Sequence, residues 1–110
     1  MDSILNSVKE TIGINSDYTV FDNNLIMHIN TVLFTLYQLG ATESPVSISD
    51  STAEWSSITP TTDLELIKTY VYLKTRMYFD PPTNSSLISE INDKIKELEW
   101  RINVEVDPNE

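Results

Sequence analysis

Glycine is almost absent from this chain: only Gly13 and Gly40 occur among 110 residues. Tight turns and phosphate-binding loops use glycine because it reaches positive φ without a Cβ clash. Each of the two glycines follows a run of periodic apolar residues, at the position where a left-handed residue ends a helix. The scarcity of glycine therefore predicts an all-α chain.

The length and composition predict one domain that folds alone. Of the 110 residues, 40% are hydrophobic and 22% are charged, which is too apolar for a disordered chain. No apolar run approaches the roughly 18 to 20 residues that cross a bilayer, and the N-terminus lacks a signal-peptide pattern, so we expect a soluble protein made in the cytoplasm. The absence of cysteine excludes disulfides, thiolate metal sites and cysteine nucleophiles.

Hydrophobic periodicity predicts four main helices, of which the first two precede residue 41. The first covers residues 3–12 and ends at Gly13. The second takes Asp22 or Asn23 as its N-cap, carries a long apolar stripe and ends at Gly40.

The third and fourth helices follow a long connection. Thr62 and Glu65 have capping-box spacing, which predicts a helix from there to Phe79, before Asp80 and two prolines. The apolar residues of this helix cover about half of the helical wheel, so we expect it to be the central one. The fourth helix begins at residues 83–85 and has a narrow apolar stripe, with i,i+4 ion pairs from residue 90 to 94 and from 97 to 101.

Two segments are predicted to reach away from the bundle. Residues 41–61 are rich in Ser and Thr, with two Pro, and predict a protruding, mobile loop with one helical turn near Trp55. Residues 1–103 then form the helical domain, and residues 104–110 form an extended tail. In an extended tail Val104 and Val106 would share one side, as in a strand added to a partner. A frayed terminus is the alternative.

No residue pattern points to catalysis, a metal or a cofactor. The sole histidine, His28, has no carboxylate one turn away, and no hydrolase, zinc, Walker or dinucleotide motif is present. Asp93 lies one turn from both Glu90 and Glu97, but these carboxylates are interspersed with basic residues and indicate a solvated face. We therefore expect a protein that is not an enzyme and that binds no cofactor.

The net charge of −10 disfavours DNA binding, because it repels phosphate. Residues 1–62 hold seven acids and only one basic residue, Lys9, so this half is the more acidic. Lys74 lies within the apolar arc of helix three. Either its stem lies on apolar surface with the amine in water, or it forms a buried or inter-subunit ion pair.

Several apolar residues lie away from the core stripes and are candidates for a subunit or partner interface. Met27 and Phe34 form a second stripe on helix two, seven residues apart, and Trp100 lies outside the stripe of helix four. Additional core packing is the alternative, since helices one and three could cover them. The full set of candidate interface residues is Met27, Phe34, Val46, Ile48, Trp55, Trp100, Val104 and Val106.

Five stretches, taken in order and spacing, resemble the small head-tail connector (adaptor) proteins of long-tailed bacteriophages and related prophages. They are residues 22–30 (DNNLIMHIN), 38–40 (QLG), 66–74 (LIKTYVYLK), 79–83 (FDPPT) and 97–103 (ELEWRIN). The likeness covers nearly the whole chain, and none of the five stretches is a catalytic motif.

The resemblance implies a helical head-completion protein at the head-tail interface of the virion. Its subunits would form a ring, commonly of twelve, below the portal protein. The ring would extend the DNA channel without specific DNA binding and prepare the head for the stopper and tail. It implies no membrane partner. A small acidic phage regulator, or a DNA mimic that inhibits a host protein, is the alternative, and self-association distinguishes the two.

Overall fold

The computed structural model describes residues 3–106 and contains four α-helices. They span Ile4–Ile12 (α1), Asp22–Gln38 (α2), Leu64–Phe79 (α3) and Ser85–Val106 (α4), with a short 3₁₀ turn at Trp55–Ser57. This architecture confirms the prediction of a small all-α bundle of four main helices. Extended pairing between the described residues is limited to two isolated antiparallel bridges, Ser3–Glu54 and Thr42–Pro60.

The central helix is α3, as its wide apolar arc predicts. It packs against α1, α2 and α4, and α1 also packs against α2. Ile67, Tyr70 and Val71 on α3 are fully buried. None of the described helices has the length and apolar character needed to span a bilayer.

Both glycines end their helices as predicted. Gly13 has φ 95° and Gly40 has φ 87°, in the left-handed region that side chains with a Cβ disfavour. At Gly40 a Cβ would also lie 2.9 Å from Cγ1 of Val106, so a larger residue would have to displace the Val106 side chain. The predicted N-cap of α2, Asp22 or Asn23, is wrong. The N-cap position is Phe21, and no side chain caps the helix there.

The predicted capping box at the start of α3 is wrong. The N-cap is Asp63, whose carboxylate accepts a hydrogen bond from the Glu65 N–H at 3.0 Å, and the helix begins one residue later than expected. The hydroxyl of Thr62 is buried and has no partner among the described residues. At the start of α4 the prediction holds, because Asn84 Oδ1 accepts from the N–H groups of residues 86 and 87.

The segment 41–61 packs onto the bundle. Ile48, Trp55 and Ile58 are 5%, 2% and 5% exposed and belong to the main core. Trp55 Nε1 donates to the Ser7 hydroxyl at 3.3 Å, and its ring lies edge-on to Tyr72, 6.0 Å between centroids. The expectation of a protruding loop is therefore wrong, because its apolar residues complete the core. The predicted helical turn near Trp55 is confirmed.

The C-terminal end of α4 is tied to the bundle. The helix continues to Val106, so the extended conformation predicted for Val104 and Val106 is wrong, and there is no break at residue 103. Glu105 Oε1 accepts from the backbone N–H of Asp63 at 3.0 Å, and Val106 packs against Gly40. The remaining tail, residues 107–110, lies outside the described residues.

Lys9 is a buried cation that sequence reasoning missed. It lies in the last turn of α1, is 1% exposed, and donates from Nζ to Asp22 Oδ1 at 2.8 Å and to the Ser16 carbonyl at 3.0 Å. Asp22 is the first residue of α2. The ion pair therefore closes the connection between α1 and α2.

Candidate assembly interface

One outward side of α2 exposes large apolar side chains. Met27 and Phe34 are 58% and 51% exposed, as their position outside the core stripe predicts. Tyr37 is also exposed, and its ring lies 6.2 Å from that of Phe34. Thr31 lies between Met27 and Phe34 in sequence and is exposed. We call Met27, Thr31, Phe34 and Tyr37 the α2 face.

The α2 face carries no charge and few free polar groups. Residues 23–42 include no Asp, Glu, Lys or Arg. The hydroxyls of Thr31 and Thr35 donate to the carbonyls of Met27 and Thr31, at 3.0 and 3.1 Å, so the helix itself satisfies them. An uncharged helix side on a protein of net charge −10 is poorly suited to solvent and well suited to burial against another protein.

The second exposed apolar surface lies on α4. Trp100 is 65% exposed, and Val104, one turn further on, is 42% exposed. We call these two residues the α4 face. Energetic anchors in protein interfaces are enriched in tryptophan, which makes the exposed Trp100 a candidate contact residue.

Charges beside the α4 face are paired within the helix. Glu97 accepts from Lys94 at 3.3 Å and from Arg101 at 3.2 Å, whereas the sequence predicted that Lys94 would pair with Glu90. The hydrogen bond from Lys94, then the two positive charges, hold the pKa of the Glu97 carboxyl below its usual range. The carboxylate of Glu97, one turn before Trp100, is therefore ionised and paired with two basic side chains.

Three of the predicted interface residues are not exposed. Ile48 and Trp55 are core residues, which corrects their assignment as surface anchors, and Val46 is half-buried. Their Ser- and Thr-rich surroundings concealed this, because a segment without regular periodicity gives no sign of which side chains turn inward. Val106 is 37% exposed but contacts Gly40 within the chain.

Sequence reasoning missed an aromatic cluster between α1 and α2. Tyr18, Val20 and Phe21 are all exposed, and the Phe21 ring lies 5.8 Å from Tyr18 and 5.3 Å edge-on from Phe79 at the end of α3. The sequence did contain a sign of this cluster, since Tyr18 and Phe21 are two aromatic residues in an otherwise polar connection.

The other two residues considered from sequence, His28 and Lys74, contact tyrosine rings within the chain. His28 is half-buried, with its ring 5.7 Å from Tyr78. The Lys74 amine lies over the rings of Tyr70 and Tyr78, at 5.9 and 5.4 Å, and forms no ion pair within the part of the chain described. Among residues 3–106 no group of three or more His, Cys, Asp or Glu side chains is placed to hold a metal ion.

Among the described residues, Tyr70 has the pKa that is shifted furthest from its usual value. It is fully buried, and its hydroxyl donates to Glu99 Oε2 at 2.7 Å. Burial, and then the hydrogen bond and charge of Glu99, raise the pKa of Tyr70 far above its usual value. The contact joins α3 to α4 and thus supports the helix that carries Trp100.

The fold is that of a small all-α bundle with apolar anchors exposed on two of its helices. A family model described as phage connector protein matches residues 4–109, so nearly the whole chain is covered. The chain belongs to this family of phage connector proteins, which confirms the resemblance. No curated protein and no solved structure is significantly similar to it.

Proposed function

We propose that this protein is a head-tail adaptor subunit that forms a ring below the portal of a long-tailed phage. The ring, of twelve subunits in the virion, would extend the DNA channel and prepare the head for the stopper and tail. The observation that carries the proposal is membership of the connector family across residues 4–109. The family also supports a structural rather than catalytic role and a place in the virion after synthesis in the host bacterium.

The exposed apolar faces support a role in assembly. A ring subunit needs two different surfaces that meet head to tail, since identical surfaces would close a dimer. The α2 face and the α4 face lie on helices that pack separately on α3. Portal and stopper would occupy further surfaces, of which the Tyr18, Val20 and Phe21 cluster is one candidate.

The charge supports a conduit that does not retain DNA. Seventeen acidic against seven basic residues give a net charge of −10, which repels phosphate at contact distance. DNA could therefore pass along such a surface without specific binding.

Mass measurement by light scattering tests the proposal, with the chain alone and mixed with the portal protein of the same phage. We expect a complex whose mass corresponds to a ring of subunits on the portal. Phage heads made without the chain should package DNA but fail to retain it and fail to join tails. A chain that stays monomeric or dimeric with portal, and instead captures a host protein, would overturn the proposal in favour of an acidic regulator.

A further inference from the structure

Three large side chains in the connection between α1 and α2 are open to solvent. Tyr18, Val20 and Phe21 are 50%, 68% and 37% exposed. The ring of Phe21 adjoins those of Tyr18 and Phe79, with centroids 5.8 and 5.3 Å away. We call Tyr18, Val20, Phe21 and Phe79 the aromatic patch. Adjoining aromatic rings that are exposed to water are typical of a surface that contacts another protein.

The connection that carries the patch is fixed on both sides by Lys9. The buried amine of Lys9 donates to the Ser16 carbonyl at 3.0 Å, before the aromatic residues, and to Asp22 Oδ1 at 2.8 Å, after them. Within the connection, the N–H of Tyr18 donates to the Asn15 carbonyl at 2.9 Å. The exposed rings therefore lie on an ordered segment, and a partner would bind them without the entropic cost of ordering a loop.

The exposed charges that adjoin the patch in sequence are negative. Asp17 precedes the first ring and Asp80 follows the last, and both are exposed. Neither carboxylate accepts an ion pair among residues 3–106. Lys9 is buried and already paired, and Arg76, one turn before Asp80, is half-buried. The patch thus combines aromatic rings with free carboxylates.

This combination matches the chemistry of an arginine side chain. A guanidinium group stacks on an aromatic face and donates from its planar edge to a carboxylate. Val20 and Phe21 would be covered by apolar side chains on either side of the arginine. A second copy of this chain is a poorer match than a basic partner, because the chain has a net charge of −10 and like charges oppose association.

We propose that the aromatic patch docks a segment of a partner protein in which arginine alternates with apolar residues. The guanidinium group would stack on the Tyr18 ring and pair with the adjoining carboxylate of Asp17. This inference goes beyond the proposed function, since it gives the chemistry of one docking surface and depends on the patch rather than on ring formation.

A pair of matched peptides provides the test. The first probe is acetyl-Leu-Arg-Leu-Arg-Leu-amide, and the second has citrulline in place of arginine, which keeps the planar shape and removes the charge. Each peptide is titrated into the full chain, and the aromatic signals of Tyr18, Phe21 and Phe79 are followed by NMR. We expect these signals to shift, and the arginine peptide to bind at least about fivefold more tightly than the citrulline peptide.

Single substitutions separate the ring from the charge. Tyr18→Ala should weaken binding of the arginine peptide by at least about fivefold, because the stacking surface is lost. Asp17→Asn should reduce the preference for arginine over citrulline. Glu43→Gln removes the same charge from an exposed position on segment 41–61 and should change neither affinity. All three positions are exposed, so folding, checked by circular dichroism, should be unaffected.

Equal affinity for the two peptides, or binding that leaves the three aromatic signals unmoved, would overturn the inference. Equal effects of Asp17→Asn and Glu43→Gln would also overturn it, because the attraction would then follow net charge alone. The mass measurement with portal is scored separately. A ring on the portal without selective peptide binding would refute this inference and leave the proposed function intact. Selective peptide binding by a chain that forms no ring would support this inference and refute the proposed function.

Discussion

The side-chain amide of Asn30 pairs with the backbone of Ile48 through two hydrogen bonds: Nδ2 donates to the Ile48 carbonyl at 2.9 Å, and Oδ1 accepts from the Ile48 N–H at 2.7 Å. A single α2 residue thus holds the middle of segment 41–61 in place. The Ile48 side chain then enters the core, 5% exposed.

The first prediction is that Asn30→Ala destabilises the protein by about 2 kcal/mol, because the N–H and C=O of Ile48 lose their partners where water has limited access. Chemical denaturation measures the change. Hydrogen exchange should show a protected Ile48 amide in the wild type and faster exchange in the variant. Asn24→Ala, exposed on the same helix, is the control and should change stability by less than about 0.5 kcal/mol. Equal effects of the two substitutions would contradict the assigned contact.

The second prediction concerns the last turn of α4. Glu105→Ala removes the acceptor for the Asp63 N–H at the start of α3, and should cost about 1 kcal/mol. Glu105→Gln keeps an acceptor oxygen and should cost less. Removing residues 104–110 should lower the melting temperature by several degrees, since the Val106 contact with Gly40 is lost as well. An unchanged melting temperature after truncation would show that these contacts contribute nothing.

The third prediction is that Thr75→Val leaves stability unchanged or raises it by up to about 1 kcal/mol. Thr75 on α3 is fully buried, and its hydroxyl has no partner among the described residues, so an isosteric methyl group removes an unsatisfied polar atom. Thr75→Ser keeps the hydroxyl and loses a buried methyl group, and should destabilise by about 1 kcal/mol. Thermal unfolding of both variants checks this, and the opposite order of stabilities would refute it.

The fourth prediction is a loss of stability in alkaline solution through Tyr70. Since burial and Glu99 raise the folded-state pKa of Tyr70, its contribution is complete below the unfolded value of about 10 and is lost as the pH rises above it. Tyr70→Phe should cost about 1 kcal/mol at neutral pH, through the lost hydrogen bond, and should weaken the alkaline dependence. Unfolding curves from pH 8 to 11 measure both effects. An identical pH dependence in the variant would exclude Tyr70 as the source.

The helices were predictable from sequence because their apolar residues follow one period and their ends carry local signals. Gly13 and Gly40 stop α1 and α2 through backbone conformation alone, which requires no knowledge of distant residues. The same locality explains the exposed positions of Met27, Phe34 and Trp100, which follow from the angle of each residue on its own helix.

The N-caps of α2 and α3 and the partner of Lys94 were misplaced by only one to a few residues. The larger errors involve contacts between residues distant in sequence. Ile48 and Trp55 were placed on the surface because nothing local indicates the partners that hold them, Asn30 on α2 and Ser7 on α1. Val106 was expected in an extended tail, since the Gly40 surface that receives it lies more than sixty residues earlier. The burial of Lys9 could not be predicted, because it depends on an ion pair with Asp22, which lies thirteen residues later in the chain.

The ion pairs of this protein should respond differently to salt, because Lys9 is buried and the basic residues of α4 are exposed. The Lys9–Asp22 pair has its ammonium 1% exposed, so dissolved ions cannot surround it and screen it little. The pairs of Glu97 with Lys94 and Arg101 lie in water, with each side chain close to half exposed, and weaken at high ionic strength. Raising the salt concentration would therefore release the basic side chains beside Trp100 while the connection from α1 to α2 stays closed. Salt therefore weakens the ion pairs on the surface of α4 without opening the packed helices beneath them.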